Sequence, residues 1–454
     1  MKPLLPIHPR RTDSPSLRVV LCLLVLHVAA LADVPLRASL LPIAGAHAQD
    51  SGGDDGGDDG GDDGSSSDSG GGSADGGGGG FEMDWEPQED PVAIAGETFI
   101  ADEILALDLS AATLRRATAL GAQVIERIDA RALKMQVVRL RLPPGLDAKS
   151  ARQILDEPGP GVFDLHHLYK LAQAATATEC KGPACSLPAL IGWPADMREC
   201  GRNQRIGIVD TAVDRSHPAL TGADLHTQDV VPPGKPAAQA DHGTAIASLL
   251  VGRPDTAFPG LVPRARLFAA APFYTLPSGN TTADTVGLVR SLDWLVTQGV
   301  QVIGLSLAGP DNRVLQEAIQ RVTARGIVVA AAAGNGGRNA PPAYPAAHER
   351  VLGITAISQE RRIYWRANQG DYVDYALPGV NVWTAERNGE GRTRSGTSYA
   401  VPFMVALAAQ SMAQRSASRD ALLGGQLKAV DDLGDTGRDP VFGYGTPRFD
   451  QHCR

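Results

Sequence analysis

Four side chains, Asp210, His242, Asn335 and Ser398, are of the types that acyl-transfer chemistry needs. A serine hydroxyl is a weak nucleophile near neutral pH and becomes reactive when a neighbouring base removes its proton. A histidine can be that base, a carboxylate can hold its tautomer, and an amide N–H can stabilise the oxyanion that follows. Ser398 lies in Ser395-Gly396-Thr397-Ser398-Tyr399-Ala400-Val401-Pro402, ahead of an apolar run to Ala409. This pattern predicts a helix starting at the serine, where free backbone N–H groups and the positive dipole end favour developing negative charge. Taken singly, each residue has a plainer reading. Ser398 can be an N-cap, Asp210 a turn cap, His242 a structural histidine, and Asn335 the left-handed residue of a Gly-rich turn.

The elements around them favour a shared site. Residues 206–209 form a short apolar strand ending at Asp210, and Asp241-His242-Gly243-Thr244-Ala245 opens an apolar helical run to Val251. A strand at 327–333 runs into Gly334-Asn335-Gly336-Gly337. Further strands at 267–271, 300–307 and 351–357 alternate with helices at 283–297 and 313–325. Fully apolar strands alternating with helices predict a mainly parallel sheet in a three-layer α/β domain. Such sheets place ligand chemistry at the carboxyl ends of their strands, where Asp210 and Asn335 fall. Upstream, strands at 103–107, 122–128, 134–142 and 162–166 and helices at 110–120 and 147–155 follow the order β-α-β-β-α-β. That is the ferredoxin-like split unit, a small α+β domain.

The front of the chain reads as export machinery and tether. Lys2, Arg10, Arg11 and Arg18 precede an apolar run at 19–32, and A-x-A patterns follow at 30–32 and 46–48. Residues 1–48 are therefore expected to be a secretory leader, the run being short for a bilayer span; an uncleaved anchor is the alternative. Residues 49–97 combine a Gly/Asp/Ser tract, 51–80, with an acidic stretch. The tract lacks the apolar content to fold and reads as a linker, not as a calcium-binding repeat. Residues 1–80 hold five Lys or Arg against eleven Asp, so −6 of the formal −9 charge resides there. The remaining body is mildly acidic and shows no basic patch, which argues against nucleic acid as a partner. Beyond the leader stand Cys180, Cys185, Cys200 and Cys453, an even number that suggests two disulfides with three possible pairings. Cys180 with Cys185 and Cys200 with Cys453 is the expected arrangement, and the spacing does not suit a zinc site.

The three reactive residues occur in the chain order Asp, His, Ser. The surrounding motifs are IVDTAVDRSHP, DHGTAIASLLVG, VIGLSLAGP at 302–310, AAAGN ending at Asn335, YPAA at 344–347, SGTSYAVP, and DLGDTGRDPVFGYG at 432–445. Over about residues 200–450 the chain resembles the secreted subtilisin-like serine peptidases. It departs from their pattern at Ala245, where a second His is common, at Tyr399 and Val401, where Met and Ser are usual, and at Gly304, where Asn is frequent.

The resemblance implies a serine endopeptidase with Asp210, His242 and Ser398 as its triad and an oxyanion hole made by the Asn335 side chain and the Ser398 backbone. It implies substrate pairing as an added strand along Ser306, Leu307, Ala308 and Gly309. The first side chain before the cut would lie between that strand and Ala332, Ala333 and Gly334, whose small uncharged walls suit an apolar or medium residue. No cofactor is expected for the chemistry, no metal site is recognised, and structural calcium is left open. Residues 98–177 would be a propeptide that blocks the cleft of a 178–454 catalytic domain until self-cleavage between about Leu171 and Cys180. The segment from Leu165 to Leu171 would then lie near the groove, with His166 and His167 as groove-contacting or solvated residues. The expected partners are polypeptide substrates and the chain's own propeptide, with membrane contact only during export to the periplasm, surface or medium.

Overall fold

The computed structural model describes residues 92–94, 97–156, 162–172, 187–414, 419–423, 429–449 and 453. The leader, the Gly/Asp tract, Cys180 and Cys185 lie outside these residues.

The described chain begins with strands β1 (Val92–Ile94) and β2 (Glu97–Leu107), helix α1 (Ala111–Ala119), strands β3 (Gln123–Ala130) and β4 (Met135–Arg141), helix α2 (Ala148–Asp156) and strand β5 (Phe163–Leu171). Ser110 caps α1, its hydroxyl accepting the Thr113 N–H at 3.1 Å. The strands lie in the order β3-β4-β2-β5, all antiparallel, with β1 added to β2. Alternation along them divides the sheet into two apolar faces. Ile104, Ala106, Val138, Leu140 and Phe163 pack under α1 and α2, whereas Leu105, Ile128, Met135 and Val137 belong to the core of the following body.

That body continues with β6 (Arg205–Val209), β7 (Leu225–Asp229), α3 (Asp241–Val251), β8 (Arg266–Ala271), β9 (Tyr274–Thr275), β10 (Thr281–Asp284) and α4 (Thr285–Thr297). Next come β11 (Val302–Leu305), β12 (Leu307–Ala308), α5 (Arg313–Thr323), β13 (Val328–Ala332), β14 (Leu352–Ile357), β15 (Tyr375–Pro378), β16 (Val382–Glu386), β17 (Glu390–Arg394) and α6 (Thr397–Gln414). Seven strands form one parallel sheet in the order β15-β14-β13-β11-β6-β8-β7. The two-residue period of a strand assigns its side chains to opposite faces. Val328, Ala330 and Ala332 pack with α3 and α6, while Val329 and Ala331 pack with α4 and α5. The result is the expected three-layer α/β arrangement. Cys200 and Cys453 form a disulfide, with Cα atoms 4.6 Å apart.

Element ends differ from the sequence reading where partners are distant. β2 starts six residues earlier than expected because it pairs with both β1 and β5, and β5 runs on to Leu171 because it pairs with β10 and β12. The helix expected from Ala283 starts at Thr285, since the residues before it form β10 and Asp284 caps α4 by accepting the Gly287 N–H at 2.7 Å. β7 has a burial pattern with four exposed residues of five and no apolar alternation, so its sequence gives no strand signal. Two departures from the family pattern explain each other. A side chain on Gly304 would meet Val405 at 2.9 Å and Val401 at 3.1 Å, so the larger residues of α6 occupy space that the glycine vacates.

Candidate active site

Asp210 follows the last residue of β6, and its backbone N–H donates to Ala270 at 3.0 Å, continuing the ladder to β8. Its carboxylate Oδ1 accepts the Thr211 N–H and the His242 Nδ1–H, each at 2.7 Å. A carboxylate only accepts, so this bond places the proton on Nδ1 and leaves the Nε2 lone pair free. Both side chains are buried, and Nε2 has no hydrogen-bond partner. The close approach of α3 to β6 depends on Gly243: a Cβ there would lie 2.3 Å from the Thr211 carbonyl oxygen. The Gly243 N–H instead donates to Thr211 Oγ1 at 2.8 Å.

Ser398 stands in the first turn of α6, as expected, and its hydroxyl donates to the Ser306 carbonyl at 3.3 Å. Pro402, inside the helix, lacks the N–H that would bond the Ser398 carbonyl. The Ser306 hydroxyl takes that place at 3.3 Å, so the end of β11 is tied to the start of α6. Asn335 lies just past β13. Its Oδ1 accepts from the Thr397 N–H at 3.1 Å and the Thr397 hydroxyl at 3.0 Å. That fixes the amide plane and leaves Nδ2 as a buried donor with no partner. Buried donors are rarely left unmatched, so an orphan beside a serine is a functional signal. Thr397 also accepts the Gly334 N–H at 3.2 Å, holding the Gly-rich turn where Gly334 adopts φ +103°. From the sequence, Thr397 reads only as a helix start, and Thr211 carries no signal of its own. Both were legible only as a hydroxyl beside each singled-out residue.

The groove beside Ser398 is filled by β5. Leu171 and Lys170 pair with Leu307 and Ala308 of β12, and Tyr169 and Leu168 pair with Ala283 and Asp284 of β10, so β5 is the middle strand of three. The Ala172 N–H donates to the Ser306 carbonyl, and the Ser398 N–H donates to the Ala172 carbonyl, each at 3.1 Å. Tyr169 is fully buried; its hydroxyl donates to the Pro310 carbonyl at 3.2 Å, and a Cβ on Gly309 would lie 2.3 Å from its ring. Ala332, Ala333 and Gly334 are buried at the end of β13. β10, which the sequence reading did not include, is the second wall of the groove.

A buried charge cluster joins β5 to the body. His166 donates through Nδ1 to Glu103 at 2.7 Å, and its Nε2 lies 3.6 Å from Asp284. Burial opposes charge on His166, but the neighbouring Asp284 carboxylate and the hydrogen-bonded Glu103 outweigh it and raise its pKa to about 9. Burial likewise opposes ionisation of Glu103, yet His166 and Arg139 hold it at about 2. Among the described residues, no group of three or more His, Cys, Asp or Glu is arranged to hold a metal ion, and no helix is long and apolar enough to cross a membrane.

A carboxylate and an unmatched amide donor just past strands β6 and β13, with an imidazole and a serine hydroxyl in the first turns of α3 and α6, have the composition of a serine acyl-transfer site. Residues 201–445 match the peptidase family described as the Subtilase family, Peptidase_S8, and the chain belongs to that family. It is 34% identical over 223 residues to thermitase of Thermoactinomyces vulgaris, covering 48% of this chain and 78% of thermitase. It is 27% identical over 260 residues to the minor extracellular protease Epr of Bacillus subtilis, covering 57% of this chain and 39% of Epr. The crystal structure of fervidolysin from Fervidobacterium pennivorans, a keratinolytic enzyme related to subtilisin, shares the fold with a TM-score of 0.64 at 19% identity, over 79% of this chain and 61% of that one. The chain thus spans under two thirds of the length of Epr and of fervidolysin.

Proposed function

We propose that the protein is a serine endopeptidase made as a zymogen that cuts itself after Ala172. The observation that carries this reading is the Ala172 carbonyl on the Ser398 N–H, at the end of a strand lying in the groove. In this mechanism the Ser398 hydroxyl turns from the Ser306 carbonyl to His242 Nε2, which takes its proton as Oγ attacks the scissile carbonyl. Asp210 keeps the imidazole oriented and favours the imidazolium, which returns the proton to the leaving amine. The oxyanion receives the Ser398 N–H and Asn335 Nδ2. Water then attacks the acyl-enzyme by the same route in reverse.

Residues 98–172 act in this reading as a propeptide, a role supported by the ferredoxin-like strand order of β2 to β5 and by their shared core with α4 and α5. The leader pattern in residues 1–48 supports export. The test is the N-terminus of the matured protein, expected at Gln173; a stable product that retains the Ala172–Gln173 bond, or an N-terminus far from it, counts against the reading.

β5 also serves as a substrate surrogate, with Ala172, Leu171, Lys170 and Tyr169 in the first to fourth positions before the cut. Burying a tyrosine-sized side chain contributes about 1.5–3 kcal/mol, or roughly 10–100-fold in kcat/KM. Chromogenic peptides ending Tyr-Lys-Leu-Ala should be cleaved faster by that factor than those ending Ala-Lys-Leu-Ala. Gly309→Ala should erase most of the difference, because its methyl group takes the space of the ring.

The His166 cluster gives the propeptide a pH-dependent hold. A histidine whose pKa is raised to about 9 contributes stability that is complete below its ordinary value and is lost as pH rises through 9. Glu103 and Arg139 travel with the propeptide, whereas Asp284 stays in the body, so the latter contact alone is broken on release. Release of the cut segment, followed by size-exclusion chromatography, should accelerate between pH 8 and 10. His166→Gln should release as readily at pH 8 as at pH 10.

A further inference from the structure

Tyr399, one of the departures from the family pattern, is fully buried directly after Ser398. Its ring centroid lies 5.3 Å from that of His242, at an interplanar angle of 48°. Its phenol lies within reach of the charged guanidinium of Arg394, the last residue of β17. Arg394 in turn pairs at 3.1 Å with Glu386, the last residue of β16, and Arg392 holds the same carboxylate at 2.7 Å. The phenol is therefore gripped at its polar end by a buried ion pair while its ring packs against the imidazole. His242 meets Asp210 through Nδ1 and the Tyr399 ring on its flank; Arg394 and Glu386 stand behind that ring, and Arg387 pairs with the neighbouring Asp241 at 2.9 Å. An aromatic face carries partial negative charge, so it favours an adjacent imidazolium over a neutral ring.

The geometry points to Tyr399 as a positioning residue: its ring fixes the His242 imidazole and favours its protonated form, and the Arg394–Glu386 pair fixes the ring. The inference rests on the reading of His242 as the general base. It assigns the two parts of the tyrosine separate tasks, the ring to the imidazole and the hydroxyl to the anchor.

The test uses the matured protein produced from the full-length chain, with kcat expressed per active site titrated by a fluorophosphonate. Tyr399→Leu removes the ring and should lower kcat about tenfold with KM changed less than about twofold, and should move the acid limb of the kcat/KM profile about half a pH unit lower. Tyr399→Phe keeps the ring and loses its anchor; kcat should fall by about two- to fivefold with the acid limb in place. A Leu variant with wild-type kcat per titrated site and an unmoved acid limb overturns the inference. So does a Phe variant whose limb moves as far as that of Leu. Should the Leu variant fail to mature, the Phe variant decides, and wild-type kcat per titrated site overturns the inference. Full fluorophosphonate labelling of the matured wild-type protein separates the two readings: hydrolysis that survives it removes the serine–histidine reading itself, whereas abolished hydrolysis with unaltered Tyr399 variants removes only the role of the tyrosine.

Discussion

Ser398→Ala is expected to lower peptide hydrolysis by about 10⁶-fold, the scale of nucleophile removal in serine-triad peptidases. The same variant should remain uncut after Ala172. The reasoning is geometric. The Ser398 hydroxyl donates to the Ser306 carbonyl at 3.3 Å, and its backbone is held by the Ser306 hydroxyl and the Ala172 carbonyl, neither of which needs the serine side chain. Alanine is a better helix former than serine, so the substitution removes an oxygen without disturbing the helix. A folded, full-length and inert product is therefore the expected outcome, seen by mass spectrometry beside wild type and by loss of fluorophosphonate labelling. Equal processing of wild type and variant would show that another protease makes the cut.

Asn335→Ala should lower kcat by about 10²–10³-fold while KM stays close to the wild-type value. The ground-state carbonyl already receives the Ser398 N–H, as Ala172 shows at 3.1 Å, so the Asn335 donor matters most when negative charge has grown on the oxygen. Its orientation depends on Thr397, which donates to Asn335 Oδ1 from both backbone and side chain. Thr397→Val keeps the backbone bond and loses the hydroxyl. It should cost less than Asn335→Ala and act on kcat in the same direction. Steady-state kinetics on one tetrapeptide substrate measures both, and a loss confined to KM would assign Asn335 to ordinary substrate binding.

The apolar strands of the parallel sheet and the helices between them were legible from composition alone, because residues such as 328–332 are buried on both faces and carry no polar position. The spacing of Asp210, His242 and Ser398 was legible because each sits against a strand or helix end that its neighbours announce. The pairing of β5 with β10 and β12 was not. Strand pairing depends on partners more than a hundred residues away, and Phe163–Leu171 carries charged and histidine side chains that hide its burial. The same applies to the surroundings of Tyr399, which the sequence marks as a departure from the family pattern without placing it beside the ring of His242. Thr397 was hidden by its ordinariness, since a threonine at a helix start is usually only a cap.

β5 stands between β10 and β12 and bonds to both, so its departure leaves two facing strand edges with unmatched N–H and C=O groups. On the proposed zymogen reading, the matured cleft is then a sheet lacking one strand. Whatever enters must supply backbone on both of its sides at once, which a chain already paired in its own sheet or wound in its own helix cannot do. Such a cleft measures the unfolding of its target before it reads any side chain. Loops, frayed ends and denatured proteins meet the requirement directly, and a compact protein meets it only during the moments when a stretch of about five residues comes loose.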